Sequence, residues 1–210
     1  MTALGRPLLN GQASGDRAFH RCRALGVLPF SASADGLARR YLTPAHAAAI
    51  GQIAGWMTEA GMSARLAPMA TLIGRYEGTD PAAPALMIGS HIDSVPNGGV
   101  FDGPLGVMLG VELVARLHEE GTRYAFPIEV AAFGDEEGSR FNASMMGSRA
   151  IAGAPIDHDL QQTDAAGTDV VAARSAFDAI LTQYTDLIRE PGGATAARRT
   201  REHVAAFIET

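Results

Sequence analysis

Hydrophobic residues along the chain alternate between helical and strand-like spacing, which predicts an α/β fold. Thr43 and Pro44 favour the first turn of a helix, and apolar residues then recur at intervals of three and four. Pro104 begins a second helix with the same apolar spacing. Two further helices are predicted, one over residues 170–189 and one over residues 199–209.

Short apolar runs between these helices predict strands. The runs cover residues 64–66, 71–76, 85–88 and 126–133. The last two flank the helix that begins at Pro104, and this strand–helix–strand order is typical of a βαβ unit with parallel strands. The sequence therefore predicts an α/β fold in which a mostly parallel or mixed sheet is flanked by helices.

The N-terminal part of the chain shows no sustained hydrophobic period. Residues 1–35 are predicted to form a loosely structured lead-in that contains one short helix at residues 18–25. Residues 36–210 are predicted to form the folded part of the chain.

Composition limits both the class of protein and its partners. The 210 residues are 47% hydrophobic, and no apolar run reaches the ~18 residues of a membrane-spanning helix. A net charge of −6 argues against a nucleic-acid partner. The single Cys22 is typical of a reducing compartment, so we expect a cytoplasmic protein. No lysine is present, which excludes Schiff-base chemistry by this chain.

Two predicted strand ends carry most of the residues that could perform chemistry. They are His91, Asp93 and Asp102 after one strand, and Asp135, Glu136 and Glu137 after another. Ligands of open α/β sheets gather at the carboxyl ends of strands, so we expect these two loops to face each other. Clustered carboxylates raise one another's pKa unless a cation offsets their charge. A histidine with several carboxylates favours Zn²⁺ or Mn²⁺ over Ca²⁺.

The spacing within each loop predicts how the roles are divided. In an extended segment, side chains two apart share a face, so His91 can bind metal while Asp93 orients its ring. Glu136 and Glu137 point in different directions, so one can bind metal while the other acts as general base. Each pair alone is typical of a solvated turn or a surface hydrogen bond, and only their joint occurrence favours a metal site.

The two loops resemble the signature motifs of a known enzyme family. Residues 89–107, GSHIDSVPNGGVFDGPLGV, and residues 132–141, AFGDEEGSRF, are similar to motifs of the hydantoinase/carbamoylase family of dinuclear-metal amidohydrolases. This family includes N-carbamoyl-L-amino acid hydrolases, allantoate amidohydrolases and β-ureidopropionases. The resemblance begins near residue 36 and implies a catalytic domain like that of the zinc aminopeptidases.

The resemblance implies a role for each candidate residue. Of two divalent ions, Zn²⁺ or Mn²⁺, His91 would bind one, Asp102 would bridge both, and Glu137 would bind the second. Glu136 would be the general base. Asp93 would orient His91.

The resemblance also implies that the chain represents only the N-terminal part of such a protein. In the family, a further metal-binding histidine follows a helix similar to residues 204–209, which is where this sequence ends. A lid or dimerisation domain and the last metal-binding histidine are also without a counterpart, so each ion is expected to lack one protein ligand. A full-length chain is expected to form a homodimer.

The function expected from these residues is hydrolysis of a non-peptide C–N bond in a small linear amide. Candidate substrates are N-carbamoyl amino acids, ureido acids and allantoate, and no nucleic-acid or membrane partner is expected. Two alternatives stay open: a truncated, non-catalytic remnant that binds metal weakly, or a relative of the aminoacylases and peptidases. Tight binding of two ions per chain would favour the enzyme over the remnant.

Overall fold

Residues 11–192 and 198–209 are described by a computed structural model, and their strands form one sheet with helices packed against it. The helices are α1 Gly11–Ala24, α2 Pro44–Glu59, α3 Pro104–Glu119, α4 Met146–Ala152 and α5 Val170–Leu181. The strands are β1 Ser63–Ala67, β2 Thr71–Tyr76, β3 Ala85–His91, β4 Ile128–Phe133, β5 Ile188–Arg189 and β6 Val204–Glu209. Within these ranges, no helix has the length and apolarity needed to cross a membrane.

The sheet is mixed, with the strand order β5-β1-β2-β4-β3-β6. β3 and β4 are parallel neighbours joined through α3, which confirms the predicted βαβ unit. β2 is antiparallel to both β1 and β4. The fold class predicted from the sequence, an α/β fold whose mixed sheet is flanked by helices, is confirmed.

Helices α2 and α3 approach the sheet closely through glycines. A Cβ atom at Gly110 of α3 would lie 3.0 Å from a methyl carbon of Val130 in β4. A Cβ atom at Gly74 of β2 would lie 2.7 Å from the sulfur of Met57 in α2. The apolar faces predicted for α2 and α3 are buried. This packing fixes the first turn of α3 beside the end of β3.

The C-terminal residues form a strand, so the helix predicted over residues 199–209 is wrong. Val204–Glu209 pairs in parallel with β3, from Ala85 opposite Val204 to Gly89 opposite Glu209. The apolar run is so short that its spacing fits a helix and a strand equally well. The edge of β3 decides between them, because its unpaired backbone groups bind an extended segment.

Two other helix boundaries differ from the prediction. α5 ends at Leu181 and not near residue 189, and Ile188, which lies within the predicted helix, belongs to β5. At the N-terminus, α1 spans Gly11–Ala24 and is longer than the helix predicted at residues 18–25. α1 packs against α3. This tertiary contact stabilises the helix although the local sequence has no clear hydrophobic period.

The predicted division between a lead-in and a folded part at residue 35 stays a prediction. Residues 1–10 of that lead-in lie outside the described residues. The remainder of the lead-in includes α1 and the segment that leads to α2.

A buried histidine in α2 predicts that the stability of the fold depends on pH. His46 is fully buried, its Nδ1 accepts a hydrogen bond from the Leu42 amide, and burial lowers its pKa from 6.5 to about 3. The unfolded chain therefore binds a proton near pH 6.5, whereas the folded protein does so only near pH 3. The contribution of neutral His46 to the free energy of unfolding is complete above pH 6.5 and should fall by about 5 kcal/mol as the pH drops towards 3.

Denaturation curves measured across this pH range test the expectation. The variant His46→Asn keeps an acceptor for the Leu42 amide but has no titrating ring, so its stability should fall less steeply with acid. Equal slopes for the parent and the variant would assign the acid sensitivity to other groups.

Candidate metal centre

The ends of β3 and β4 lie side by side at one edge of the sheet. His91, the last residue of β3, is paired with Phe133, the last residue of β4. The Ile92 amide extends this pairing and donates to the Phe133 carbonyl at 3.0 Å. The loops that follow the two strands therefore start next to each other, in agreement with the expectation from sheet geometry.

The loop after β3 returns to the sheet through a glycine. Gly103 has a φ of 82°, in the left-handed region that favours glycine, and a Cβ atom there would lie 2.6 Å from the His91 ring. Pro104 then begins α3. This turn brings Asp102 to His91, with 3.7 Å between Oδ1 of Asp102 and Nε2 of His91.

Three of the predicted site residues meet at this edge. One ligand atom from each of His91, Asp102 and Glu137 lies within 4.8 Å of the other two. Asp102 is exposed, and the other two are partly buried. One imidazole nitrogen and two carboxylates form a donor set that suits Zn²⁺ or Mn²⁺, so the residues present fit a divalent ion.

The orientation of the His91 ring leaves one nitrogen available for a metal. Nδ1 of His91 lies 3.1 Å from the main-chain carbonyl of Asp93, which can only accept a hydrogen bond. Nδ1 therefore carries the proton, and Nε2 faces Asp102 with a free lone pair. The sequence predicted this contact for the Asp93 carboxylate, but Oδ1 of Asp93 is 3.7 Å from Nδ1 and the carbonyl makes the hydrogen bond.

The carboxylate of Asp93 joins the two loops instead. It is fully buried, and its two oxygens accept hydrogen bonds from the amides of Glu136 and Glu137 at 3.1 and 3.2 Å. Burial raises the pKa of Asp93, and the Glu136 amide and the His91 ring oppose that shift. This link between loops 43 residues apart has no signal in the local sequence.

Glu136 reaches the cluster with much of its side chain in solvent. Oε2 of Glu136 lies 3.8 Å from Nε2 of His91, and 43% of the side chain is exposed. Burial raises the pKa of Glu137, the positive charge of a protonated His91 would oppose that shift, and the charges of Asp102 and Glu136 add to it. A bound cation would offset this repulsion between carboxylates.

Asp135 does not belong to the ligand cluster, although it lies beside Glu136 in the sequence. It is fully buried and has a left-handed φ of 64°. Burial raises its pKa to about 8, and the neighbouring charge of Asp93 adds to the shift. The sequence grouped it with the other carboxylates because strand ends alone do not show which side chains face inward.

Sequence reasoning assigned no role to an arginine that supports the second loop. Arg140 donates to the carbonyls of Tyr41 and Leu42 at 3.0 and 2.6 Å, and it forms an ion pair with Asp164 at 3.0 Å. Its position three residues after Glu137 was the only available signal. The contact ties the second loop to the segment that precedes α2.

Comparison with protein families identifies the group to which this site belongs. The model of a family described as Peptidase family M28 matches residues 71–205, which include both loops of the cluster. The chain belongs to this family. The match extends from β2 into β6 and so covers most of the sheet of this M28 chain.

Individual relatives confirm the resemblance to the hydantoinase/carbamoylase family. An N-carbamoyl-L-amino acid amidohydrolase of Geobacillus stearothermophilus is 41% identical over 87% of this chain and 44% of its own length. Allantoate deiminase 1 of Glycine max is 41% identical over 66% of this chain and 29% of its own. The crystal structure of a hydantoinase/carbamoylase family amidase from Burkholderia phymatum shares 32% identity at a TM-score of 0.73, covering 92% of this chain and 44% of that one. This M28 chain thus spans less than half the length of these relatives.

Proposed function

We propose that this chain carries the metal centre of an amidohydrolase that cleaves a non-peptide C–N bond in a linear amide. The observation that carries the proposal is the convergence of His91, Asp102 and Glu137, with ligand atoms within 4.8 Å of one another. Glu136 adds a partly exposed carboxylate 3.8 Å from the His91 ring. A set of metal ligands beside a carboxylate that can exchange protons is the arrangement that metal-assisted hydrolysis requires.

We assign two divalent ions, Zn²⁺ or Mn²⁺, to the cluster. His91 would hold one ion, Glu137 the other, and Asp102 both, as the motif resemblance implies. The position of Asp102 supports this assignment, because a carboxylate oxygen of Asp102 lies within 4.8 Å of the ligand atoms of both His91 and Glu137. When bound, such ions polarise the scissile carbonyl and lower the pKa of the attacking water.

Glu136 is the proposed general base. Its carboxylate takes a proton from the attacking water and transfers it to the leaving nitrogen as the C–N bond breaks. The side chain is exposed enough to meet a substrate, and its main chain is held by the hydrogen bond from its amide to Asp93. Asp93 thus positions both glutamates without contacting the substrate.

The proposed substrates are N-carbamoyl amino acids, ureido acids and allantoate. The printed names of the relatives, N-carbamoyl-L-amino acid amidohydrolase and allantoate deiminase, support this class. These compounds are small, linear and carry a carbonyl carbon bonded to nitrogen. The match to a peptidase family favours a second candidate, hydrolysis of an aminoacyl amide at the same centre.

Metal binding tests the centre directly. Titration of the metal-free chain with Zn²⁺ or Mn²⁺ should show two ions per chain. The variant His91→Ala should weaken metal binding by more than about 100-fold, because the loss of a residue that only hydrogen-bonds to a metal ligand already lowers metal affinity by about 10- to 100-fold. His158→Ala removes an exposed histidine that lies between two aspartates outside the cluster, and it should bind metal like the parent. Equal affinities in both variants would contradict the assigned cluster.

Turnover assays then separate the candidate activities. The metal-loaded chain is incubated with an N-carbamoyl-L-amino acid, with allantoate and with an aminoacyl p-nitroanilide. Release of ammonia or amine from the first two supports the amidohydrolase, and cleavage of the anilide alone supports the peptidase. Weak binding of one ion or none, without any turnover, would support a non-catalytic remnant.

A further inference from the structure

A buried arginine behind the metal centre has no role in the function proposed above. Arg39 is 0% exposed, and the hydrogen bonds of its side chain go to main-chain carbonyls. Its Nη1 donates to the carbonyls of Leu25 and Phe30 at 2.7 and 3.0 Å, and its Nε donates to the carbonyl of Ile92. Burial lowers the pKa of Arg39 to about 10, and the negative charge of the buried Asp93 carboxylate opposes that shift. A buried charge whose hydrogen bonds all go to carbonyls is costly unless a charge of opposite sign lies near it, and for Arg39 that charge is the Asp93 carboxylate.

Arg39 contacts the chain on both sides of Asp93. Its side chain binds the carbonyl of Ile92, the residue before Asp93. Its main-chain amide donates to Oγ of Ser94 at 2.9 Å, and its carbonyl accepts from the Ser94 amide at 2.9 Å. One residue therefore sets the path of the backbone immediately before and immediately after Asp93.

Asp93 in turn positions residues of both loops. Its carbonyl lies 3.1 Å from Nδ1 of His91, and its carboxylate accepts from the amides of Glu136 and Glu137. Any displacement of Asp93 would move one ligand from the end of β3 and another from the end of β4. The contacts of Arg39 therefore reach the metal centre through a single intermediate residue.

We propose that Arg39 is a positioning residue of the metal centre, which acts by fixing the backbone on both sides of Asp93. The proposal rests on the proposed metal-binding function. A planar guanidinium presents its donors in fixed directions, which allows it to bind three carbonyls at once, whereas a lysine ammonium cannot match that geometry. Through the carbonyls of Leu25 and Phe30, the turn that follows α1 is connected to the same centre.

A purely structural role for Arg39 makes a different prediction. If Arg39 served only to hold the turn at residues 25–30, its loss would lower global stability and leave the two loops as they are. A matched control exists in Leu66 of β1, which is 1% exposed and lies in a strand outside both loops. Leu66→Ala creates a cavity in the core and destabilises the whole fold without altering contacts to Asp93.

The experiment compares Arg39→Met, Arg39→Lys and Leu66→Ala in the whole chain. Amide hydrogen exchange is measured without metal under conditions that give the variants equal global stability. Exchange at Glu136 and Glu137 should be at least about tenfold faster in Arg39→Met than in Leu66→Ala, because the acceptor of both amides loses its support. Co²⁺ affinity should fall by about 10- to 100-fold in Arg39→Met, with a changed visible spectrum, and stay at the parent value in Leu66→Ala. Arg39→Lys keeps the charge without the planar group and should lie between the parent and Arg39→Met.

The possible outcomes separate this proposal from the function on which it rests. Equal exchange at Glu136 and Glu137 in the arginine variants and in Leu66→Ala overturns the positioning role, whatever the parent binds. A parent that binds no Co²⁺ contradicts the proposed metal centre, and the exchange comparison still decides the role of Arg39. If Arg39→Met does not fold, Arg39→Lys provides the same comparison.

Discussion

Glu136→Gln should lose most of its hydrolytic activity while it still binds metal. Glutamine cannot accept the proton of the attacking water, and general bases of this kind contribute about 100- to 10,000-fold to the rate. Glu136 is not one of the three residues whose ligand atoms group together, so ion stoichiometry should stay at the parent value. The measurement is turnover of an N-carbamoyl-L-amino acid, together with the metal content of the same sample.

A matched glutamate distinguishes this effect from a general loss of charge. Glu120 lies just after α3 and pairs with Arg116 at 2.9 Å, away from the two loops. Glu120→Gln should keep the full rate. A Glu136→Gln variant that retains the parent rate would show that another group moves the proton.

Asp93→Asn should weaken both the fold and the metal centre. Each oxygen of the Asp93 carboxylate accepts from a different amide, and an asparagine of the same shape offers only one acceptor. The second amide then faces an NH₂ group, so we expect a loss of about 2 kcal/mol in the free energy of unfolding. Metal affinity should fall by about 10- to 100-fold, because His91 and Glu137 both depend on Asp93 for their position.

Chemical denaturation and Zn²⁺ titration measure the two effects on one preparation. Asp35→Asn is a suitable control, because Asp35 is exposed and lies in the segment before α2, outside both loops. This control should match the parent in both measurements. Unchanged metal affinity in Asp93→Asn, despite a loss of stability, would limit Asp93 to a structural role.

The local sequence was sufficient for the elements that surround the site. β3 and β4 are short, nearly continuous apolar runs, α3 has a helical hydrophobic period, and Pro104 begins α3 where predicted. Parallel pairing of the two strands follows from their order, and it brings His91 and Glu137 to one edge. The candidate residues therefore follow from the local sequence.

The contacts between loops could not be predicted in this way. The sequence suggested a side-chain contact between Asp93 and His91, since they are two residues apart. The structure directs the Asp93 carboxylate to two amides of the other loop, and the carbonyl of Asp93 takes its place at His91. Arg39 gave no signal at all, because its partners are main-chain carbonyls that any residue provides.

The sequence by itself determined which residues lie at the ends of β3 and β4, because continuous apolar runs and the positions of proline and glycine are local properties. Tertiary structure decided that Val204–Glu209 is a strand, and it decided which groups the carboxylate and the carbonyl of Asp93 contact. Val204–Glu209 pairs with the edge of β3, and the two adjacent loops bring the amides of Glu136 and Glu137 to the buried carboxylate of Asp93. In both cases, free backbone groups from distant parts of the chain had to be satisfied, and only the folded arrangement shows which ones meet.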